Sequence, residues 1–329
     1  MTDKEEIFNY FRDRLFADAD LDWSEQTNKP LLAHYTSVQN LERILVSNEF
    51  WFSNPLFMND WEEIRFGTDR GYELIHNNPD VINAIVKACG SNERAQKLIH
   101  EYDNCVGEFV TAGAIDTYVF CLSKHEVTDN DGSLSMWRGY GANGEGVAIV
   151  FNSAVLPANK YSPLLFAHVD YGSAEKRIAK LTDKFYEFAA LLESKPVPDD
   201  RLFIPAALLF ERIKIFSLCN KHSAFEDERE SRVIYIKKWD ATKALHDWCG
   251  YAVYDRGVEP KLKLKIERMP IPDAKDVSFD EITDRIILGP TKASELAKTA
   301  FLRMLDCVKQ PNLKGRVHNS KIPFRGNIR

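Results

Sequence analysis

Hydrophobic positions along this chain alternate between helix-like and strand-like periodicity. Ile7, Phe8, Phe11, Leu15 and Phe16 recur at helical spacing, which predicts an N-terminal helix within residues 1–20. After the polar stretch DWSEQTNKP, the short apolar run LLAHY reads as a strand, and Val38, Leu41, Ile44 and Leu45 then share one helical face. Thr36 and Gln39 have the spacing of a capping box for that helix. EFWFSNP predicts a second strand that ends in the turn Asn54-Pro55. Helical patterns fill about 70–112, where Val81, Ile82, Ile85 and Val86 form an apolar face, and about 172–220, through Phe185, Phe188, Leu191 and Leu192. Between these blocks, TYVFCLSK and VAIVFN read as strands separated by the glycine-marked turn GANGEG. SRVIYI, KLKLKI, RIILGP and the tail GRVHNSKIPFR predict further strands, with KLKLKI alternating as an exposed or edge strand does, and a late helix is expected over 293–305. The strands come from distant parts of the chain. The fold class expected is therefore α+β, a single domain over 1–329 with helical insertions at about 70–112 and 172–220.

Composition narrows the function classes. A 44% hydrophobic content over 329 residues is enough for a substantial core. The net charge of −6 gives no global surface for a polyanion. The first residues, MTDKEEIF, are acidic where a signal peptide needs a basic region, and no long apolar run follows, so the reading is a cytoplasmic protein with no membrane partner. The six cysteines show no CxxC spacing and the eight histidines no HxH or HExxH, so no metal is indicated and the thiols are expected to be free and mostly buried.

Four polar constellations stand at the ends of expected strands: HYTS (His34 to Ser37), the Asn59-Asp60-Glu63 group, Ser123 with the Trp137–Tyr140 segment, and the acidic run containing Glu228, Glu230 and Arg232. Strand alternation places Glu228, Glu230 and Arg232 on one face, two carboxylates beside a cation. Each constellation also has an ordinary structural counterpart. A lone histidine is often satisfied by backbone in a core, charge ladders are commonly solvated, and aromatics three apart are commonly core. Gly139, Gly141, Gly144 and Gly146 fit a hairpin turn better than a phosphate loop, because no GxGxxG precedes a helix.

Together these stretches resemble the DUF2971 family of uncharacterised bacterial proteins. The resemblance rests on HYTSVQNLERIL, FSNPLFMNDWEE, VFCLS, MWRGYGANGEGVAIVF, FEDERESRVIY, RIILGP and HNSKIPFR. More distantly, H-x-T followed by N-L-x-x-I-L resembles the first motif of ADP-ribosyltransferase-like enzymes, including DNA-modifying toxins and RNA 2'-phosphotransferases. That second resemblance implies a split β-sheet core and NAD as substrate. In it, His34 and Thr36, with Tyr35 between them, match the motif that holds the adenosine ribose and the nicotinamide amide. Ser53 or Ser123 matches the middle serine, and Glu230 or Glu228 the late glutamate that binds the nicotinamide ribose. Asn54, Asn59, Asp60, Trp137, Tyr140 and Arg232 complete the expected nucleotide-binding set, with Trp137 and Tyr140 as aromatic walls and Arg232 orienting Glu230 or the pyrophosphate. Where the superfamily has a glycine after I-L, this chain has Ser47-Asn48-Glu49. The resemblance implies an enzyme that cleaves the nicotinamide N-glycosidic bond and modifies a protein or nucleic acid, or hydrolyses NAD, as a toxin or phage-defence effector. The alternatives are a non-catalytic nucleotide-sensing or partner-binding module, and a metal-dependent nuclease acting through Asp60, Glu63 and Glu228.

Overall fold

The computed structural model describes residues 2–19, 29–58, 62–111, 113–155, 162–254, 257–266, 276–292 and 294–324. The chain forms two compact units, each assembled from three separated segments: 1–20, 54–117 and 168–225 in the first, and 21–53, 118–167 and 226–329 in the second. The N-terminal helix and most of both helical blocks fall in the first. Among the described residues, no helix is long and apolar enough to cross a membrane.

The first unit contains α1 (Asp3–Leu15), α2 (Glu62–Asn77), α3 (Pro79–Cys89), α4 (Asn92–Thr111), α5 (Ala174–Ser194) and α6 (Phe203–Cys219). A helix apolar all round must be surrounded. The sequence of α6, FIPAALLFERIKIFSLC, is of that kind: it is buried along nearly its whole length, and α1, α2, α4 and α5 all pack on it. Gly67 permits the close crossing of α2, because a Cβ there would stand 1.8 Å from Ser217 Oγ. The charges on α6 are partnered: Arg212 donates to the Leu15 carbonyl (2.9 Å) and to both Asp18 carboxylate oxygens, and Lys214 pairs with Glu211. Asn54 locks the unit's entry. Its buried Nδ2 donates to the carbonyls of Ala114, Ile115 and Thr117 at 2.7, 3.0 and 2.9 Å, while Oδ1 accepts the Leu56 N–H (3.0 Å).

The second unit holds a sheet of ten strands: β1 (Leu31–Thr36), β2 (Glu49–Ser53), β3 (Thr117–His125), β4 (Val147–Asn152), β5 (Leu164–His168), β6 (Glu230–Ile236), β7 (Cys249–Tyr254), β8 (Gly257–Lys265), β9 (Thr283–Leu288) and β10 (Val317–Asn319). The main order is β10-β9-β4-β1-β3-β2-β8-β7, with β6 pairing to both β3 and β5. The sheet is mixed, since β9–β10 is parallel while β1–β4, β1–β3 and β2–β8 are antiparallel. The fold class is α+β, as the alternating blocks predict.

β3 is the branch strand. Ser53 of β2 faces its Val119, and nearer its end the Lys124 N–H donates to the Arg229 carbonyl (2.9 Å) at the start of β6. β1 follows β4 along all six residues, from Leu31↔Asn152 to Thr36↔Val147, but follows β3 only from Leu31↔His125 to Ala33↔Ser123. Beyond Ala33, β1 and β3 share no ladder. One face of the sheet carries the main core, which includes Leu32, Phe50, Phe52, Phe120, Phe151 and Phe279. The other carries a smaller cluster of Ala33, Tyr35, Met136, Trp137, Ala148, Val150 and Ile287.

Several local expectations are corrected. The helix Val38–Ser47 is capped by Ser37, whose Oγ accepts the Asn40 N–H (3.1 Å), because the strand runs one residue further than the capping-box reading assumed. Thr36 Oγ1 instead accepts from the Asn40 side chain (3.1 Å). KLKLKI lies inside the sheet, between β2 and β7. Its lysines are tolerated there because their stems cover apolar surface: Lys263 Nζ lies 4.6 Å from the Trp51 ring centroid, and buried Lys261 donates to Ser53 Oγ (2.9 Å) beside Glu259 (3.2 Å). All six cysteines are free, as expected, but Cys89 alone is fully buried and Cys307 is exposed.

Asn54→Ala removes three buried donor contacts and one turn cap at once. We expect a loss of about 2–4 kcal/mol, read as a lowered urea midpoint with an unchanged slope.

Candidate functional site

His34 sits at the parting of β1 and β3. Where the ladder stops, the carbonyl of Cys121 on β3 is met by His34 Nδ1 at 2.9 Å. A carbonyl can only accept, so Nδ1 carries the proton and neutral His34 presents Nε2 as an acceptor. The ring stacks on Phe120, with centroids 4.4 Å apart and planes 22° apart. Burial holds the imidazole's pKa below its usual value, with the Cys121 hydrogen bond acting against that shift.

On the other side of β3, a second polar group is built around Glu228. Ser123 Oγ donates to the Glu228 carbonyl (2.6 Å), and Tyr140 Oη donates to its carboxylate Oε1 (3.0 Å). Glu228 is buried, and it ends the 3-10 turn Ser223–Glu228 instead of lying on β6. The expected face of Glu228, Glu230 and Arg232 is therefore broken. The reason is Arg229, whose φ of 42° inserts a left-handed residue between the two glutamates, a conformation costing ~1 kcal/mol for a side-chain-bearing residue. Arg229 is held there by its N–H to the Glu226 carbonyl (3.1 Å), its carbonyl to Lys124, and an exposed ion pair with Glu126 (3.1 Å). Glu230 and Arg232 do share a face: Arg232 Nε and Nη2 donate to Glu230 Oε1 and Oε2 at 2.8 and 2.9 Å, both side chains buried. That geometry is bidentate, so the charge of Glu230 is neutralised locally.

The remaining expected residues separate into those with structural tasks and those beyond description. Trp137 has 0% exposure and donates its indole N–H to the Asp131 carbonyl (2.8 Å), so it is a core residue and not an open aromatic wall. Tyr35 meets Trp137 edge-on at 4.9 Å, and its hydroxyl accepts the Ser133 N–H (2.9 Å); burial pushes the phenol up to about 12. Of the expected site aromatics, Tyr140, only partly buried, reaches a carboxylate. Ser53 accepts from Lys261 in the second unit, and Asn54 is consumed by the clamp in the first. Asn59 and Asp60 lie outside the described residues. Among the described residues, no cluster of three metal-ligating side chains occurs.

Alternation sends His34 to the Leu32–Phe120 face, whereas Ser123, registered with Ala33, points to the opposite face together with Tyr35. The structure thus brings Ser123 and Tyr140 each onto Glu228 and sets His34 across β3 from them, on the opposite face of the sheet. The glycine turn before β4 packs against the end of β1. A Cβ at Gly146 would stand 2.2 Å from the Thr36 carbonyl oxygen, so the turn works by close backbone approach; it joins the helix Leu134–Gly139 to β4 and is not the expected hairpin. Asn48 adopts φ 55° and ψ 41° at the helix end; asparagine tolerates this left-handed cap better than most residues. The contact that sequence reasoning missed is Tyr140 to Glu228, which joins positions 88 apart.

Residues 136–233 match the model of a family described as a protein of unknown function (DUF2971). The matched segment contains Tyr140, Glu228, Glu230 and Arg232, and the family is the one the motifs resemble. No curated protein and no solved structure matches the chain.

His34 and His125 both have lowered pKa values, each chiefly through burial. Below the unfolded value near 6.5, the unfolded chain binds protons that the native chain excludes. Stability should therefore be full above that pH and fall as pH drops toward the two lowered values. His34→Asn should flatten this fall by up to about 1.4 kcal/mol per pH unit, measured as urea midpoints from pH 7.5 to 5.

Proposed function

We propose that this chain, which carries the DUF2971 match over residues 136–233, is a cytoplasmic NAD-consuming enzyme of the ADP-ribosyltransferase type. The fold proposed for its second unit is accordingly the split-sheet fold of that superfamily. The observation that carries the reading is the early end of the β1–β3 ladder, with His34 at the opening and the Ser123–Glu228–Tyr140 group just across β3. With strands about 4.8 Å apart, β1 and β6 lie roughly 10 Å from each other across β3. Because β3 fills that gap and the two groups face opposite ways, a nicotinamide riboside that meets both would pass through the opening beyond Ala33, where β1 and β3 share no ladder.

The chemistry follows from the charges. Breaking the bond between C1' of the ribose and the nicotinamide nitrogen returns the bonding pair to the cationic ring, which leaves as neutral nicotinamide. Positive charge then develops on the ribose. A carboxylate aimed at it binds the transition state more strongly than the ground state. Glu228 is assigned this role, with its Oε1 accepting from the Tyr140 phenol, while both carboxylate oxygens of Glu230 are taken by the Arg232 guanidinium. The Glu230–Arg232 pair positions the strand. His34 Nε2, as acceptor, binds a ribose hydroxyl. Water, or a nucleophile of a protein or nucleic acid, adds to C1' and gives up a proton. Transfer to such a macromolecule would make the chain a toxin or a phage-defence effector.

A second reading, a nucleotide-sensing module without turnover, is favoured by two features: Glu230 is neutralised by Arg232 and Trp137 is fully enclosed, which leaves fewer groups for catalysis.

Purified protein incubated with NAD, with and without cell extract, should release nicotinamide. Glu228→Gln should reduce release about 100-fold or more with a smaller loss of NAD affinity, and His34→Ala should weaken binding. Binding without release would favour the sensing module. Neither binding nor release would contradict both readings.

A further inference from the structure

Strand β7, missed in the sequence pattern, ends the main sheet, and among the described residues no strand pairs with its outer edge. Native edge strands are usually protected by charges, proline or a covering element. From Cys249 to Tyr254 this one reads CGYAVY, with no charge and no proline. Two of its side chains are strongly exposed, Tyr251 at 63% and Val253 at 70%, and across the hairpin Val258, the register partner of Val253, is 61% exposed. They continue a buried surface outward: Cys249 and its partner Leu262, on the same face by alternation, pack in the main core.

The outward-pointing backbone groups are identified by Pro260. It pairs with Tyr251, and it lies one residue beyond Lys261, the last β8 residue with a β2 partner. Lacking an N–H, Pro260 fits a pair that exchanges no hydrogen bonds. Tyr251, and with it Val253, therefore turns its N–H and C=O away from β8, toward the open edge.

From this arrangement we infer that a second copy of this chain pairs with β7 in antiparallel fashion, about a two-fold axis through Ala252. In that register Tyr251 of each copy lies opposite Val253 of the other. Both are residues with outward backbone groups, so these pairs exchange hydrogen bonds and Ala252 meets its counterpart in a pair that does not. Side chains directly opposite share a face, which places two aromatic–β-branched pairs side by side, a favourable cross-strand combination. The absence of charge along the strand removes the like-charge repulsion that self-pairing otherwise meets. The interface is isologous and closes at two copies. This inference stands apart from the NAD reading and uses none of its residues.

The register makes a specific test available. Sedimentation equilibrium of the full chain should give a dimer, and Tyr251→Glu alone or Val253→Lys alone should weaken association at least tenfold while circular dichroism stays unchanged. The double variant Tyr251→Glu/Val253→Lys should regain association, because each new carboxylate then faces a new ammonium of the other copy. Ala252→Cys should oxidise to a covalent dimer, since opposite Cα atoms in a pair without hydrogen bonds are about 4.5 Å apart. A monomeric wild type, a dimer indifferent to the single variants, or a double variant as weak as the singles would each overturn the inference. A wild-type monomer that takes up a strand from another protein also overturns it.

Discussion

The second unit depends on how one carbonyl is satisfied where two strands part. Backbone groups inside a sheet require partners, and when β1 leaves β3 after Ala33 the Cys121 carbonyl loses the one a continuing ladder would provide. The His34 imidazole replaces it, with its ring supported by Phe120. A polar residue in an apolar strand is thus required by the parting itself. The same parting lets β1 keep all its pairing with β4 while β3 turns to β2 and β6. Without the histidine's donor, the opening would leave a backbone acceptor without its replacement partner.

On the far side of β3, the chain spends conformational energy to hold carboxylates. Arg229 in a left-handed conformation separates Glu228 from the strand, so that two glutamates close in sequence receive different surroundings. One meets a phenol and the other a guanidinium. Groups of the same type set in different environments are what acid–base and electrostatic roles require. This difference is why the functional reading rests on Glu228 more than on Glu230.

How much of this was legible in the sequence depended on whether the governing interaction was local. The position of HYTS between strand and helix and both helical blocks follow from periodicity, and the strand SRVIYI from its β-branched content. The Tyr140–Glu228 contact did not, because it joins distant segments. Alternation failed at Glu228 because a positive φ at a non-glycine residue leaves no mark in the pattern. KLKLKI has the pattern of an edge only if its lysines are solvated, whereas Lys261 is buried against Ser53 and Glu259. The true edge, CGYAVY, was passed over because its exposed positions are Tyr251 and Val253, the reverse of an apolar-in, polar-out strand. The chemistry of Trp137 alone suits a ligand wall, and only packing reveals that its indole is enclosed.

The central claim is that His34 and Glu228, on opposite sides of β3, attend one nucleotide. The most direct measurement is a double-mutant cycle on NAD affinity by isothermal titration, using His34→Ala, Glu228→Gln and the pair. The account predicts that each single change alters NAD affinity and that the two effects are not additive, because both residues touch the same ligand. NAD affinity unchanged by either substitution, or strictly additive effects, would contradict it.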